Sequence, residues 1–445
     1  MGSVNKIIKK CPSIVKRLYY ECVPFEKRYG RVFTETFNSL MESRSWSHQR
    51  LLDLQYSKFK EMMSHCYNNV PYYKKIMDER GLLPESFKSV EDISLMPILT
   101  KDIIRENFND LIATNMKGHS TVEFRTSGST GKKLIFLGTD DVFKKEAAFV
   151  LRAFKDHGAT MYDKPSVWLR RYVPKDKGSS LYHYDYDLRR LYMSAYHLNN
   201  NTVKEYVDQI NSKKYHTLVG YPSSIFILAC LCEGAGIGLD HIQAIHVASE
   251  KMLAEWSEKI KAVFGITPKA HYGMQEKVVF HHQTAEHSLY YENLEYGVTE
   301  LVDEQDQNVI VGTGFINKLM PFIRYKTSDV GIPNVETNTG FKLIDIEGRC
   351  DDILISSDNS LLPGVNFYTM MYKIDGVKMF QIRQKVNRDV TVLIVPNNKF
   401  DNKTKDKILS GLHARLGNLP IIIKKVSSIQ RSSTTGKIRN IFREK

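Results

Sequence analysis

The sequence predicts an α/β protein, with a large N-terminal unit of layered sheets and helices over residues 1–349 and a small α+β unit over residues 350–445. Two observations carry this. Between Ser166 and Val247 short apolar runs alternate with helical stretches, the pattern of a mixed or parallel sheet with covering helices. Beyond Gly348 the texture changes to short strands around one helix, and the roughly one hundred residues involved make a normal domain.

The elements follow in order. From Lys6 to Phe33, Ile7, Ile8, Ile14, Val15, Leu18, Tyr19 and Tyr20 are mixed with lysines and arginines. This basic N-terminus reads as a helix packed on the large unit, with peripheral contact to a membrane surface as the other reading. Ser47 to Asn68 reads as helix, because Leu51, Leu52, Leu54, Phe59, Met62, Met63 and Cys66 share a broad apolar face; Asn69 and Pro71 stop it. Ser166–Leu169, Thr217–Val219 and Ala244–Val247 read as strands, with helices near Thr202–Ser212 and Ser223–Glu233. In the second unit, Asp351–Ser356, Lys378–Val386, Val390–Val395 and Ile421–Val426 read as strands and Lys403–Leu416 as a helix.

Hydrophobic residues at 42% and charged residues at 25% are ordinary globular usage. Sixty-three basic against 50 acidic residues give a formal charge of +13, so the surface attracts anions such as nucleotides or acidic lipid. No zinc finger, RNP-like aromatic strand or basic zipper is present, which argues against a nucleic-acid partner. The six cysteines are scattered without a paired framework, as expected of a reducing, cytoplasmic setting, and Cys230 and Cys232 read as core thiols. No apolar stretch follows Lys6, Lys9 and Lys10 as a signal peptide requires, and no window reaches transmembrane length.

The most informative stretch is Thr126-Ser127-Gly128-Ser129-Thr130-Gly131-Lys132-Lys133, between Phe124 and the apolar run Leu134–Leu137. Glycines let backbone N–H groups approach phosphate oxygens, hydroxyls donate further hydrogen bonds, and lysine neutralises charge. The spacing of Gly128 and Gly131 is not that of the common P-loop, and a Gly/Ser-rich turn alone is also an ordinary hairpin connection.

The loop resembles the phosphate loop of the adenylate-forming superfamily. Four further segments match in the same order: His271-Tyr272-Gly273-Met274-Gln275-Glu276, Pro321-Phe322-Ile323-Arg324-Tyr325-Lys326-Thr327-Ser328-Asp329, Gly348-Arg349-Cys350-Asp351-Asp352, and Gly436-Lys437. Within the superfamily the chain is similar to the phenylacetate-CoA ligase and coenzyme F390 synthetase branch, especially its CapK-type members associated with surface polysaccharide genes. That likeness is carried by Asn69-Val70-Pro71-Tyr72-Tyr73, Leu95-Met96-Pro97-Ile98-Leu99-Thr100-Lys101, Tyr196-His197-Leu198 and Gly220-Tyr221-Pro222-Ser223.

The resemblance implies a large AMP-binding unit, a small mobile lid, and use of ATP and Mg²⁺ to convert a carboxylic acid to an acyl-adenylate. Acyl transfer to CoA, an amine or a glycan precursor then follows. It implies that Thr126 to Lys132 hold the phosphates, with Thr130 catalytic, and that Glu276 holds Mg²⁺. Tyr272 packs on adenine within the motif Gly273, Met274 and Gln275, and Ala248-Ser249-Glu250 lines its other side. Asp329 accepts from the ribose hydroxyls, Arg349 reaches the ribose or phosphates, and Asp351 is the hinge. Lys437 bridges carboxylate and phosphate in the first step, His197 gates the carboxylate, and Arg170, Tyr221 and His271 line the acid pocket. Two departures are Lys133, where the family often has proline, and Ser328, where it has glycine. Histidines 281, 282 and 287 suggest a metal cluster, but without a nearby cysteine they read instead as a solvated loop. A hydroxyl adenylyltransferase and a non-catalytic nucleotide-binding homologue are the other functional readings.

Overall fold

The computed structural model describes residues 8, 11–23, 25–116, 118–126, 134–159, 164–170, 172, 180–195, 197–285, 288–304, 307–336, 342–347, 353–364, 367, 370–371, 374–429 and 440–444. Among the described residues the N-terminal stretch is not one continuous helix to Phe33 but is broken into α1 (Ser13–Cys22), α2 (Phe25–Tyr29) and α3 (Arg31–Ser43). Gly30, at φ 99°, takes a conformation that interrupts a right-handed helix. Tyr20, Phe25 and Phe33 are buried, while Ile14, Val15 and Leu18 on α1 are exposed. Arg189 holds the end of α1 by donating to the carbonyl oxygens of Tyr20 and Glu21.

Helix α4 (His48–Asn69) starts where the Ser47 hydroxyl accepts from the Arg50 amide, and gives way at Val70 to α5 (Pro71–Glu79). Buried Leu51, Phe59, Met62, Met63 and Cys66 lie on the face the sequence marks as apolar. After α6 (Lys101–Glu106), strands β1 (Thr121–Arg125) and β2 (Ile135–Thr139) form a hairpin that leads into α7 (Asp140–Asp156).

Five strands then build a parallel half-sheet: β3 (Ser166–Arg170), β5 (Arg190–Ser194), β6 (Thr217–Gly220), β7 (Ala244–Val247) and β8 (Lys269–Gly273), in the order β5, β3, β6, β7, β8. Their crossovers are α8 (Val203–Asn211), α9 (Pro222–Ala235) and α10 (Ala254–Phe264). β6 and β7 are buried at every position, as expected of strands covered on both faces. Cys232 is buried and Cys230 half-buried on α9, and burial pushes the Cys232 thiol up to about 12.

β4 (Tyr182–Asp185) closes one edge, antiparallel to β5. On the other side β8 pairs antiparallel with β9 (Phe280–His282), which begins a run continued by β10 (Tyr290–Glu292), β14 (Lys342–Glu347), β13 (Tyr325–Glu336), β12 (Gln307–Gly314) and β11 (Gly297–Glu304). The whole is a mixed twelve-stranded sheet.

The second unit has a short hairpin, β15 (Ile353–Ile355) with β16 (Leu361–Pro363), and a four-stranded sheet. The sheet holds β17 (Val377–Gln384), β18 (Val390–Pro396), β19 (Ile421–Lys425) and β20 (Ile441–Arg443) in the order β19, β18, β17, β20. Helix α11 (Asn402–Leu416) is capped by Asp401, whose carboxylate accepts from the Thr404 amide at 2.7 Å. Ile408, Leu412 and Leu416 on α11 pack with Phe380, Ile382 and Val392 in a core that shares no residue with the first. The first core ends at Ile346 and the second begins at Leu354.

Candidate active site at the carboxyl edge of the parallel strands

Parallel strands place all their carboxyl ends on one edge, and in open α/β sheets that edge is where ligands bind. Here it collects Arg170 from β3, His197 just after β5, Tyr221 after β6, Ala248 to Glu250 after β7, and His271 to Glu276 from the end of β8. Backbone bonds knit the edge together: the Ala195 amide donates to Arg170 O at 3.0 Å, and the Ala248 amide to Gly220 O at 3.3 Å. The Arg170 guanidinium lies over the rings of Trp168 and Tyr221, at 5.2 and 5.3 Å from their centroids. His197 is exposed, and its Nδ1 is 2.8 Å from the Ser194 hydroxyl.

Ser249 sits at φ 82°, an uncommon conformation for a residue with a Cβ, so the turn after β7 is held against strain. Glu250 supplies the hold. Its Oε2 accepts from both the amide and the hydroxyl of Ser223, at 3.1 and 2.6 Å, in the first turn of α9.

Two carboxylates come together with two phenols. Tyr272 donates its hydroxyl to Asp329 Oδ2 at 2.9 Å, and Tyr325 donates to Glu276 Oε1 at 2.8 Å. Burial first, and the neighbouring Asp329 charge second, push the Tyr272 phenol far up, so it stays a donor at neutral pH. One oxygen of Asp329 is thus engaged before any diol is bound. Glu276 is only 8% exposed, and among the described residues it pairs with no cation. A buried carboxylate of this kind fits one protein ligand of Mg²⁺, which is commonly held by one or two acids together with phosphates and water.

Close backbone packing fixes Glu276. Gly297 and Gly314 face each other across β11 and β12, and a Cβ at Gly314 would stand 2.0 Å from the Lys277 carbonyl oxygen. Lys277, at φ 60°, forms an ion pair with Glu146. The segment carrying Asp329 is strapped from the far N-terminal side. The Tyr73 hydroxyl donates to Pro321 O at 2.9 Å and accepts from the Ile323 amide at 3.0 Å. Leu99 exchanges backbone bonds with Arg324 and Lys326, and the Arg324 guanidinium binds both Glu300 oxygens at 3.0 and 2.7 Å. The segments around Tyr73 and Leu99 are thus bonded directly to Pro321, Ile323, Arg324 and Lys326, on the chain that leads to Asp329.

His271 Nδ1 lies 2.6 Å from His246 Nε2, and His246 Nδ1 lies 3.0 Å from His157 Nε2. Burial lowers His271 and His157 to about 3 and holds His246 well below the ordinary imidazole range, so this row is neutral near pH 7. Sequence reasoning missed His246, Tyr325, Ser223 and Glu300. Tyr325 and Ser223 stood inside recognised motifs, without a role assigned to either.

The expected solvated histidine loop is corrected. His281 and His282 are buried on β9 with separate partners: His281 Nε2 is 3.2 Å from the Thr299 hydroxyl, and His282 pairs with Asp156 at 2.8 Å. Among the described residues no group of three or more His, Cys, Asp or Glu side chains is arranged to hold a metal. His287 lies outside the described residues, as do Ser127, Gly128, Ser129, Thr130, Gly131, Lys132, Arg349, Asp351 and Lys437. Thr126, the described residue of the Gly/Ser-rich segment, is bonded to Leu134: its amide donates to Leu134 O at 3.0 Å, and its Oγ1 accepts from the Leu134 amide at 3.1 Å.

Residues 354–444 match the CapK C-terminal domain family. Protein CapK of Staphylococcus aureus is 25% identical over 429 residues, covering 93% of each chain. A phenylacetate-coenzyme A ligase of Aromatoleum evansii is 24% identical, over 71% of this chain and 74% of the relative. In fold, the chain is similar to a 2-hydroxyisobutyryl-CoA ligase in complex with 2-HIB-AMP and CoA, with a TM-score of 0.57 at 16% identity over 90% and 91% of the two chains. A CapK relative thus aligns along nearly the whole chain and a phenylacetate-coenzyme A ligase along most of it, the chain ends in a segment that matches the CapK C-terminal domain, and its fold is similar to that of an acid-CoA ligase.

Proposed function

We propose that the protein uses ATP and Mg²⁺ to activate a carboxylic acid as its acyl-adenylate, then passes the acyl group to CoA or to another acceptor such as an amine or glycan precursor. The observation that carries the reading is the convergence of Arg170, His197, Tyr221, Ser249, Tyr272 and Glu276 on one carboxyl edge, with Asp329 bonded to Tyr272.

In this reading an oxygen of the acid attacks the ATP α-phosphorus while the bond to pyrophosphate breaks. The protein stabilises charge and forms no covalent bond. Glu276 is the Mg²⁺ ligand, oriented by Tyr325, and bound Mg²⁺ supplies charge neutralisation at the phosphates. Thr126 to Lys132 donate to the phosphates, and Asp329 turns its free oxygen to the ribose while Tyr272 holds the other. His197 gates the carboxylate. Neutral His271 offers the acid a hydrogen bond rather than a charge. Residues 350–445 form the lid that turns at Asp351, Arg349 meets the ribose or phosphates, and Lys437 serves the first step.

A place in surface polysaccharide synthesis and a cytoplasmic setting belong to the same reading. Exposed Ile14, Val15 and Leu18 on α1 support a peripheral contact with lipid. No helix among the described residues is long and apolar enough to cross a membrane. The test is pyrophosphate release from ATP across a panel of aryl, hydroxy and amino acids. Acid-dependent release supports the proposal, and ATP binding without it for any acid overturns it.

A further inference from the structure

A cavity of about 320 Å³ opens between α3, α4, α7 and residues 315–318, and it shares no residue with the site above. Its volume is at the small end of the range for small-molecule pockets. Six charged side chains line it: Glu35, Glu61, Glu295, Lys58, Lys145 and Lys318. Each carboxylate already has its own cation. Glu35 pairs with Arg31 at 2.6 Å, Glu61 with Lys318, and Glu295 with Arg152 at 2.5 Å. Two ammonium groups are left over. Lys58 donates to a neutral acceptor, the Glu295 carbonyl oxygen, at 3.0 Å, and Lys145 has no hydrogen-bond or ion-pair partner among the described residues. Half-buried cations that form no ion pair of their own are costly, because the nearby carboxylates, bound to other cations, compensate them only in part. Burial is the main cause that lowers the pKa of both; the Glu295 charge opposes it at Lys58 and the Asp141 and Glu61 charges oppose it at Lys145, while Lys145 adds to it at Lys58 and Lys318 at Lys145. Met62, Phe149 and Phe315 give the same cavity an apolar wall.

We propose that this cavity binds a small organic dianion with a short apolar body, of the phosphate-monoester type, its anionic head between Lys58 and Lys145. The head supplies the missing counter-charge, and the apolar wall takes the body.

The experiment is calorimetric titration of the full chain with phenyl phosphate, in saturating AMP so that the nucleotide site is filled. Inorganic phosphate and phenol are the comparison probes. The parent is expected to bind phenyl phosphate at millimolar or lower concentration, more tightly than either comparison probe. Lys58→Met and Lys145→Met should each weaken binding roughly tenfold or more, the scale of one lost charge-assisted contact. Lys145→Met removes a side chain with no partner, so its melting temperature without ligand should equal or exceed the parent's, and it carries the test if Lys58→Met folds poorly. Binding that both variants retain unchanged, or no binding by the folded parent in AMP, overturns the proposal.

Discussion

Tyr325→Phe removes one oxygen and nothing else. The ring keeps its place, fully buried and stacked at 5.5 Å on Phe322. What is lost is the 2.8 Å hydrogen bond to Glu276, whose carboxylate is itself buried. A hydrogen bond to a charged group contributes about 1.5–3 kcal/mol, and because Tyr325 and Glu276 are both buried, water does not replace the donor fully. If that energy serves to orient the carboxylate in the transition state, adenylation falls roughly 10- to 150-fold at about 1.4 kcal/mol per factor of ten. The assay is acid-dependent pyrophosphate release over a range of Mg²⁺ concentrations, with thermal melting as the folding control. A lower kcat/KM together with a higher Mg²⁺ requirement is expected. A folded variant within about threefold of wild type at all Mg²⁺ concentrations would refute the assignment of Glu276 and the role of Tyr325 together.

Other predictions concern the scaffold and the lid. In Glu295, burial would raise the pKa, but the Arg152 guanidinium and hydrogen bonds from Arg152 and Ser43 overcome it and hold the group at about 2. The interval from the ordinary 4.5 corresponds to about 3 kcal/mol, present above pH 4.5 and lost as pH falls towards 2. Glu295→Gln should therefore lose about that much in urea unfolding near pH 7, with the gap to wild type closing at low pH; an equal gap at both would be contrary. Gly314→Ala sets a Cβ 2.0 Å from the Lys277 carbonyl oxygen, so the backbone carrying Glu276 must move. Adenylation should drop tenfold or more, and wild-type kcat/KM would show that this contact does not position Glu276. Lys437→Ala should lose roughly a hundredfold in adenylate formation while keeping transfer from pre-formed acyl-AMP; equal loss in both steps would remove the two-step role of the lid.

Three of the five strands of the parallel half were readable in the chain because β3, β6 and β7 are short, largely buried runs: β6 and β7 are Thr217–Gly220 and Ala244–Val247 against expectations one residue shorter or identical, whereas β5, which holds Arg190, and β8, which is only partly buried, were not read as strands. The antiparallel half was not readable. β11 carries Glu300, Asp303 and Glu304, and β13 contains Asp329 and Pro333, so neither shows a clean apolar alternation. Gly297, Gly312 and Gly314 on β11 and β12 instead let these strands approach residues 277–279 closely, which only the folded chain reveals. The same holds within the site. Tyr272 and Glu276 stood in a recognisable motif, but their partners lie 57 and 49 residues away, and local sequence does not encode that register. His281 and His282 looked solvent-facing because imidazoles are polar. Asp156, Asn293 and Thr299, brought in from other elements, are what allow them to be buried.

ATP-dependent activation of an acid is tested most directly by mass spectrometry of the products after the purified chain is incubated with ATP, Mg²⁺ and pooled aryl, hydroxy and amino acids. An acyl-AMP species is expected for at least one acid, formed with equimolar pyrophosphate and absent in the folded Glu276→Gln variant. Folded, ATP-binding protein that yields no acyl-AMP from any acid, or a Glu276→Gln variant that yields it at the wild-type rate, would contradict the assignment.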